Sequence, residues 1–582
     1  MMVSAPEWRF VKTPTELREG IQIMQTPQAS NTPTRGSETR SSDHGTSAWS
    51  PLRQEVFRSI WTATVVSNVG TWMQSVGVAW LMTSLTPSPL LVALMQTAAS
   101  LPIFILGLPA GTIADLVDRR KLLLATETWM LLVALTLGVL TLTGHVSTWT
   151  LLTLTILMGL GSAFDAPAWQ AIVPDLVERR DLPSAVALNA TGFNVARALG
   201  PAFGGFLVAI AGPAAVFLLN AVSFLFVLVA VYRWRHAPIQ SNTHPEDMLG
   251  ATAAGMRYVR HAPALQAVLV RIGVFTFGAS ALWALLPSMA RHDLGLDATG
   301  YGLVLGSLGF GAVGSALLLP RLRDYLPIDR LTAIATLVFA GATFALAYVH
   351  FVPLLVVCMM AGGMAWLSMM SSLTISAQSA SPAWVRARTL GIYLLVFQGT
   401  MAVGSFAWGA LAERLGNGTA LSFAALMVVV GLATTLRWPL HPIQRLDLSP
   451  SGHWSDPKLA ITPNPDDGPV LITIEYRVPT ARAGEFIEAM DAMRIFRRRE
   501  GAVSWGIFRD LADPERYMET FIVTTWAEHM RQHARVTVED QATEVHAFSF
   551  LQPGVAPFAS HLIAAQTYDR RTAAEPPYAE LS

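Results

Sequence analysis

The chain has 582 residues, of which 52% are hydrophobic and only 14% charged, and its 40 basic and 40 acidic residues leave a formal net charge of zero. Soluble domains carry about 25% charged residues, so an ordinary soluble protein is excluded, and neutral charge leaves no footprint for nucleic acid. The lone cysteine, Cys358, excludes a disulfide framework and a cysteine-built metal site.

Residues 1–50 are polar, rich in Ser, Thr and Pro, and lack the apolar run of a secretory signal. They read as a disordered cytoplasmic tail, with Met24 a candidate start. Twelve segments then have the roughly 20 mostly apolar residues that crossing a bilayer requires. They are 57–82, 90–114, 122–143, 148–170, 185–211, 214–233, 265–290, 298–320, 329–350, 352–377, 387–413 and 419–438. Loops at 115–121, 171–184, 234–264, 321–330 and 378–388 hold thirteen Lys and Arg, whereas the alternate loops hold only Arg291 and Arg414. The bias predicts cytoplasmic basic loops, both termini cytoplasmic, and a multi-pass protein of the inner (plasma) membrane, with the lipid bilayer as an obligatory partner.

The expected organisation is a six-helix half at 51–233, a cytoplasmic loop at 234–264 and a second half at 265–440. A Pro-rich linker follows at 441–469, with Pro442, Pro450, Pro457, Pro463, Pro465 and Pro469. A soluble domain at 470–555 and a flexible tail at 556–582 complete the chain. The predicted fold class is thus an all-α polytopic membrane bundle plus a small α+β unit. Such a two-half plan resembles the major facilitator transporters, whose halves are related by an axis along the membrane normal, with substrate held at the midplane between them.

The stretch GLPAGTIADLVDRRK, residues 107–121, makes the resemblance specific. Facilitators carry a Gly-x-Leu-Ala-Asp-Arg-x-Gly-Arg-Lys pattern between spans two and three. Here Gly111, Asp115, Arg119 and Arg120 follow it, while Leu116 and Asp118 depart from it. A carboxylate at a helix end can latch onto guanidinium groups or a neighbouring helix N-terminus, and the resemblance implies a gate lock. The bland alternative is basic residues placed by topology, which accounts for the arginines and not for Asp115. A weaker echo, Arg321, Arg323 and Asp324, follows span eight.

In span five, Gly200, Pro201, Gly204 and Gly205 resemble the Gly-Pro-x-x-Gly-Gly element associated with exporters. Small residues allow close helix approach and Pro bends a helix, so this span is expected to seal and pivot. Arg197 lies halfway along the same span, where a charge is costly and marks function by default. Asn189 and Asn194 lie on nearby turns, and Asp165 is its candidate partner. Substrate binding, a proton-responsive pair and a purely structural pair all remain open. Asn68, Gln74 and Gln398 add polar groups suited to a cavity or to bonds between helices. Glu127, Asp165 and Glu413 sit near span ends, so proton coupling comes only from the resemblance. Without a GxxxxGK[ST] stretch, ATP drive is disfavoured.

The stretches SNVGTWMQSVGVAWLM, DAPAWQAIVPDLV and LNATGFNVARALGPAFGG are similar to the enterobactin-exporter branch of transmembrane secretion effectors. The resemblance implies proton-coupled export of siderophore-like or drug-like small molecules by alternating access. Further on, a strand at 470–478, a helix ending at Glu500, two strands, a second helix and a short last strand at 548–551 give a ferredoxin-like order. It resembles the antibiotic-biosynthesis-monooxygenase type of dimeric α/β barrel. Trp505, Trp526, His529, Arg531, His533 and Arg535 are candidates for a small pocket. His529 and His533 share one helical face and could ligate a metal, but no third ligand is evident, and neither a metal nor a cofactor is expected. A dimerisation module, pairing a homodimer through the exposed sheet edge, or a regulatory module is the favoured role. A membrane-tethered oxidoreductase and a non-transporting scaffold are the competing classes.

Overall fold

The computed structural model describes residues 49–178, 180–234, 248–440, 447–454, 457 and 459–564, with only the backbone given for Thr112, Asp115, Leu116 and 248–253. Most of the expected N-terminal tail, and parts of the central loop, the linker and the C-terminal tail, lie outside the described residues.

The helices in chain order are α1 (Glu55–Leu85), α2 (Pro89–Leu116), α3 (Arg119–Leu142), α4 (Thr148–Leu176), α5 (Leu182–Arg233), α6 (Met248–His261) and α7 (Pro263–Ser288). Then come α8 (Ala298–Tyr325), α9 (Ile328–Tyr348), α10 (Val352–Ser379), α11 (Arg386–Leu415), α12 (Asn417–Val430) and α13 (Thr434–Arg437). Ten helical stretches among the described residues are long and apolar enough to cross a membrane, one of them formed by α12 and α13 together. The 52-residue α5 is twice the crossing length and turns at Gly212, where φ is 77°. A left-handed residue there followed by Pro213 lets the chain reverse without a Cβ clash, so α5 makes two crossings. The 31-residue α1 is long enough and more polar. With α5 counted twice and α1 included, the described residues make twelve crossings, as the sequence predicts.

Helix starts are set locally. Ser88, Asp118, Ser147 and Asp297 accept the backbone N–H of Leu91, Lys121, Thr150 and Gly300, satisfying donors that a helix cannot pair itself. Large apolar side chains such as Phe206, Leu225 and Phe423 are about half exposed. A continuous apolar belt of this kind suits lipid rather than water.

The two halves meet along two seams. In one, α5 lies so close to α8 that a Cβ on Gly205 would sit 2.5 Å from the Ala298 carbonyl and 2.8 Å from Gly302 Cα. Further along, one on Gly309 would meet Ala198 Cα. In the other, α2 faces α11 through Gly399 against Phe104 and Gly409 against Ala93. Gly200 and Gly204 press instead on Trp72 and Met73 of α1, so the span-five glycines serve two neighbours at once.

The C-terminal region adds β1 (Val470–Arg477), α14 (Ala483–Glu500), β2 (Ser504–Arg509), β3 (Arg516–Val523), α15 (Trp526–Arg535), α16 (Val538–Phe548) and β4 (Phe558–Ile563). The sheet order is β2-β3-β1-β4, antiparallel throughout. Two details correct the sequence reading. The last strand is Phe558–Ile563 and not 548–551, because α16 runs to Phe548 and its end closes by turn bonds at Ser549, Phe550 and Leu551. The long second helix is two helices, because Thr537 starts α16 with a reciprocal capping box to Asp540.

Substituting Gly205→Val should force backbone apart at the α5–α8 seam and destabilise the protein by about 1–3 kcal/mol. Thermal unfolding of the detergent-purified chain should show a lowered midpoint.

Candidate functional site

A cavity of about 410 Å³ lies inside the first half of the bundle. Its wall is drawn from α1, α3, α4 and α5 and includes Trp61, Asn68, Met130, Trp169, Gln170, Asn189 and Phe193. Phe57 at the start of α1, Leu176 at the end of α4 and Val227 near the end of α5 place it toward the face from which α1 sets out. Its described walls include nothing from α7–α11, so this cavity is within one half rather than between the halves.

Two carboxylates share that wall. Asp165 of α4 accepts a hydrogen bond from Thr126 of α3 at 2.9 Å. Glu127, next to Thr126 and only 3% exposed, accepts from Trp169 at 3.4 Å. Trp169 is one turn beyond Asp165, so each helix supplies an acid and a donor to the other. The second oxygen of Glu127 is buried without a partner. A buried unsatisfied carboxylate oxygen is costly, and two carboxylates in one site repel.

The predicted residues divide among several places. Asn68, Asp165 and Asn189 line the cavity. Gln74 instead accepts from Asn220 at 2.7 Å in a fully buried bond between α1 and the second limb of α5. Asn194 turns back to the carbonyl of Ala190 on its own helix. Gln398 is half-buried on α11. Arg197 is not joined to Asp165: among the described residues it makes no ion pair, and its Nη2 is buried without a hydrogen bond. The side chain of Asp115 lies outside the described residues, and Gly111 has open space where a Cβ would be. Arg119 pairs with Asp175 at 3.1 Å and with the Ala171 carbonyl. Arg120 caps the end of α5 through the carbonyls of Val231 and Tyr232, as a cation at a helix C-terminus should. Both arginines thus bind within the first half. On the opposite face a bond does cross the halves: Glu413 of α11 accepts from Ser88 Oγ at 2.7 Å and from Leu90 N–H at 3.2 Å at the start of α2.

Sequence reading set Glu127 aside as a span-end acid. The available signal was its position within the predicted span 122–143, and only the pairing of α3 with α4 gives it a second carboxylate. Glu413 was set aside in the same way.

The C-terminal region docks on α6 and on the loop before α11. Arg257 pairs with Glu528 at 2.8 Å, Arg499 lies over the Tyr258 ring and Arg535 over Trp384 at 4.0 Å, and Tyr258 donates to the Ala380 carbonyl. Behind this contact a polar core fills the expected pocket. Glu519, fully buried, accepts from Tyr476, Trp505 and Arg497. Glu544 accepts from His453 and Trp454 and pairs with Arg497. Burial opposes charge on Arg497, yet Glu519 and Glu544 outweigh it and raise its pKa. Trp505 is therefore committed to Glu519, and Arg531 and Arg535 to Glu528.

Twelve crossings in two halves, with a cavity that mixes aromatic, amide and acidic walls, define a polytopic membrane transporter. Similarity agrees. Residues 46–569 match the transmembrane secretion effectors, and the chain belongs to that family. The multidrug efflux pump Tap of Mycolicibacterium fortuitum is 24% identical over 66% of this chain and 96% of its own. The enterobactin exporter EntS of Escherichia coli is 25% identical over 65% and 91%, and the staphyloferrin A transporter of Staphylococcus aureus 23% over 50% and 73%. In fold, a bacterial homologue of the lysosomal transporter Spinster, solved inward-facing and unoccupied, superposes with a TM-score of 0.52 at 13% identity over 66% of this chain and 95% of its own. The nucleoside transporter NupG gives 0.54 at 12%, over 66% and 100%.

At the docking contact, burial pushes the Glu500 carboxyl up to about 7, with Arg499 pulling it down and Asp540 pushing it up. A folded acid that holds its proton to higher pH than the unfolded one loses stability as pH rises between the two values. Going from pH 5 to pH 8 should therefore weaken this region by about 2 kcal/mol. Amide exchange of residues 483–535 should speed up accordingly, and Glu500→Gln should flatten the dependence.

Proposed function

We propose that the protein is a proton-coupled exporter of small, amphipathic, siderophore-like or drug-like molecules, working by alternating access across the inner membrane with both termini cytoplasmic. The observation that carries this reading is the cavity that holds Glu127 and Asp165 together. Its aromatic walls suit an apolar body and its amides and acids suit polar substituents, the usual recipe for a small-molecule site. The basic loops of the cavity's face orient it to the cytoplasm, the side from which an exporter loads.

Two adjacent carboxylates in a dry wall repel, and one proton relieves the repulsion. Substrate in the cavity and a proton on the pair can then exclude each other, which is the coupling an antiporter needs. Glu413 at the start of α2 and the α5–α8 glycine seam hold the far side together while the near side loads. Release requires those contacts to part, with Gly200, Pro201, Gly204 and Gly205 as the flexing segment, Arg197 as a group exposed to substrate or to the acids during the change, and Asp115 with Arg119 and Arg120 as the inner lock. The multidrug efflux pump and the enterobactin exporter among the similar proteins support the direction and the class of cargo.

The test is substrate-dependent collapse of an imposed pH gradient in inside-out vesicles, over a panel of siderophores and hydrophobic drugs. Asp165→Asn and Glu127→Gln should each abolish the collapse, by about a hundredfold in initial rate if each acid serves as the general proton carrier, while substrate binding persists. Coupling that survives both substitutions, in folded protein, would overturn the reading.

A further inference from the structure

The two-histidine face of α15 gains a third member from the fold. His529 and His533 stand on one face of α15, and β4 carries His561 beside them, in register with Ile472 of β1. One ring nitrogen from each of the three lies within 4.8 Å of the others. The ring centroids of His529 are 4.9 Å from His533 and 4.8 Å from His561. We propose that His529, His533 and His561 form a binding site for a divalent first-row transition metal of the zinc class, with a fourth position open to water or a small ligand.

Three observations carry it. First, His529 is 2% exposed, and its Nε2 is buried with no hydrogen-bond partner. An imidazole packed only for shape would have both nitrogens satisfied, because an unmet buried polar atom costs about 1–3 kcal/mol. Second, the other nitrogen is fixed. Gln532, itself 1% exposed, donates its amide to the Glu500 carbonyl, which turns its oxygen toward His529 Nδ1 at 3.2 Å. Nδ1–H must then be the donor, and the lone pair lies on Nε2. A supporting carbonyl on the non-ligating nitrogen is how metal-binding histidines are held. Third, His533 and His561 are half-buried, so the cluster has a route for an ion to enter.

Tetrahedral zinc with imidazole ligands at about 2.0–2.1 Å sets nitrogens roughly 3.4 Å apart. Ligation therefore requires the rings to close in from separations of up to 4.8 Å. Three neutral nitrogen donors without a carboxylate disfavour Mg²⁺ and Ca²⁺, which take oxygen ligands, and suit zinc, cobalt, nickel or copper. Burial, with His533 and His561 adding to it, pushes His529 down to about 3, so this ring is in the neutral form that ligation needs. The location matters as well. The same short helix carries Glu528 and Arg535, which hold Arg257 and Trp384. An ion there ties the last strand to the helix that docks the sheet region on the membrane helices.

The experiment uses the full chain in detergent, stripped with chelator and dialysed against Zn²⁺, with Co²⁺ as a spectroscopic probe. One Zn²⁺ per chain is expected, with Co²⁺ absorption typical of tetrahedral nitrogen ligation and a raised unfolding midpoint on loading. His533→Ala and His561→Ala, both at half-buried positions, should each weaken binding by at least about tenfold, the lower bound for losing even a supporting group. Gln532→Ala should weaken it in the same direction, and His546→Ala on α16 should leave it unchanged. No bound metal in the folded chain, or equal binding by the His533 and His561 variants and the parent, overturns the site. So does an equal loss with His546→Ala. None of these outcomes depends on transport.

Discussion

Close approach of helix backbones across the α5–α8 seam is the constraint on which the rest of the membrane region depends. In hydrocarbon no water pulls helices together, so association rests on van der Waals contact and a few polar bonds. Gly205 against Gly302 and Gly309 against Ala198 leave no room for a Cβ, and this brings the two halves into register. Once that seam is fixed, α1 is clamped on the other side of α5 by Gly200 and Gly204. The two amide side chains of α1 then reach different surroundings. Gln74 meets Asn220 in the dry interior, and Asn68 faces the cavity.

The charged groups of the bundle follow a similar economy. Arg119 bonds to Asp175 and the Ala171 carbonyl of α4, and Arg120 to carbonyls at the end of α5. Arg271, 3% exposed, is paired with Asp329 and donates to the Thr332 hydroxyl. Against that background the Glu127 and Asp165 pair stands out, since among the described residues no Lys or Arg lines its cavity. Arg119 and Arg271 have acid partners, whereas this pair sets two acids beside each other in a cavity.

The C-terminal region is joined to the bundle by an interface of arginines, acids and aromatic rings. Arg257, Tyr258 and Trp384 on the membrane side meet Glu528, Arg499 and Arg535 on the other. Such contacts rely on geometry and on partly excluded water, and they are more readily tuned by protonation or by a bound ion than an apolar contact of equal size. Glu500 and the three histidines sit directly behind it.

Sequence alone determined the crossings, because about 20 apolar residues in a row have few alternatives in water or in lipid. It also marked the span-five glycines as a place of close helix approach, while the structure decided that Gly200 and Gly204 face α1 and Gly205 faces α8. The Val470–Val523 part of the sheet was legible as strands, while the last strand was missed because FASHLI is short and is interrupted by Ser560 and His561. What only the tertiary structure decided is which polar groups meet. Glu127 and Asp165 are 38 positions apart, His529 and His561 32 apart, and Ser88 and Glu413 325 apart. Nothing local distinguishes these from an acid near a span end, a histidine on a polar face or an ordinary helix start. Their chemistry arises only when α3 lies on α4, β4 on β1 beside α15, and α11 on α2, because electrostatic repulsion, ligation and capping act over a few ångströms of space and not along the chain.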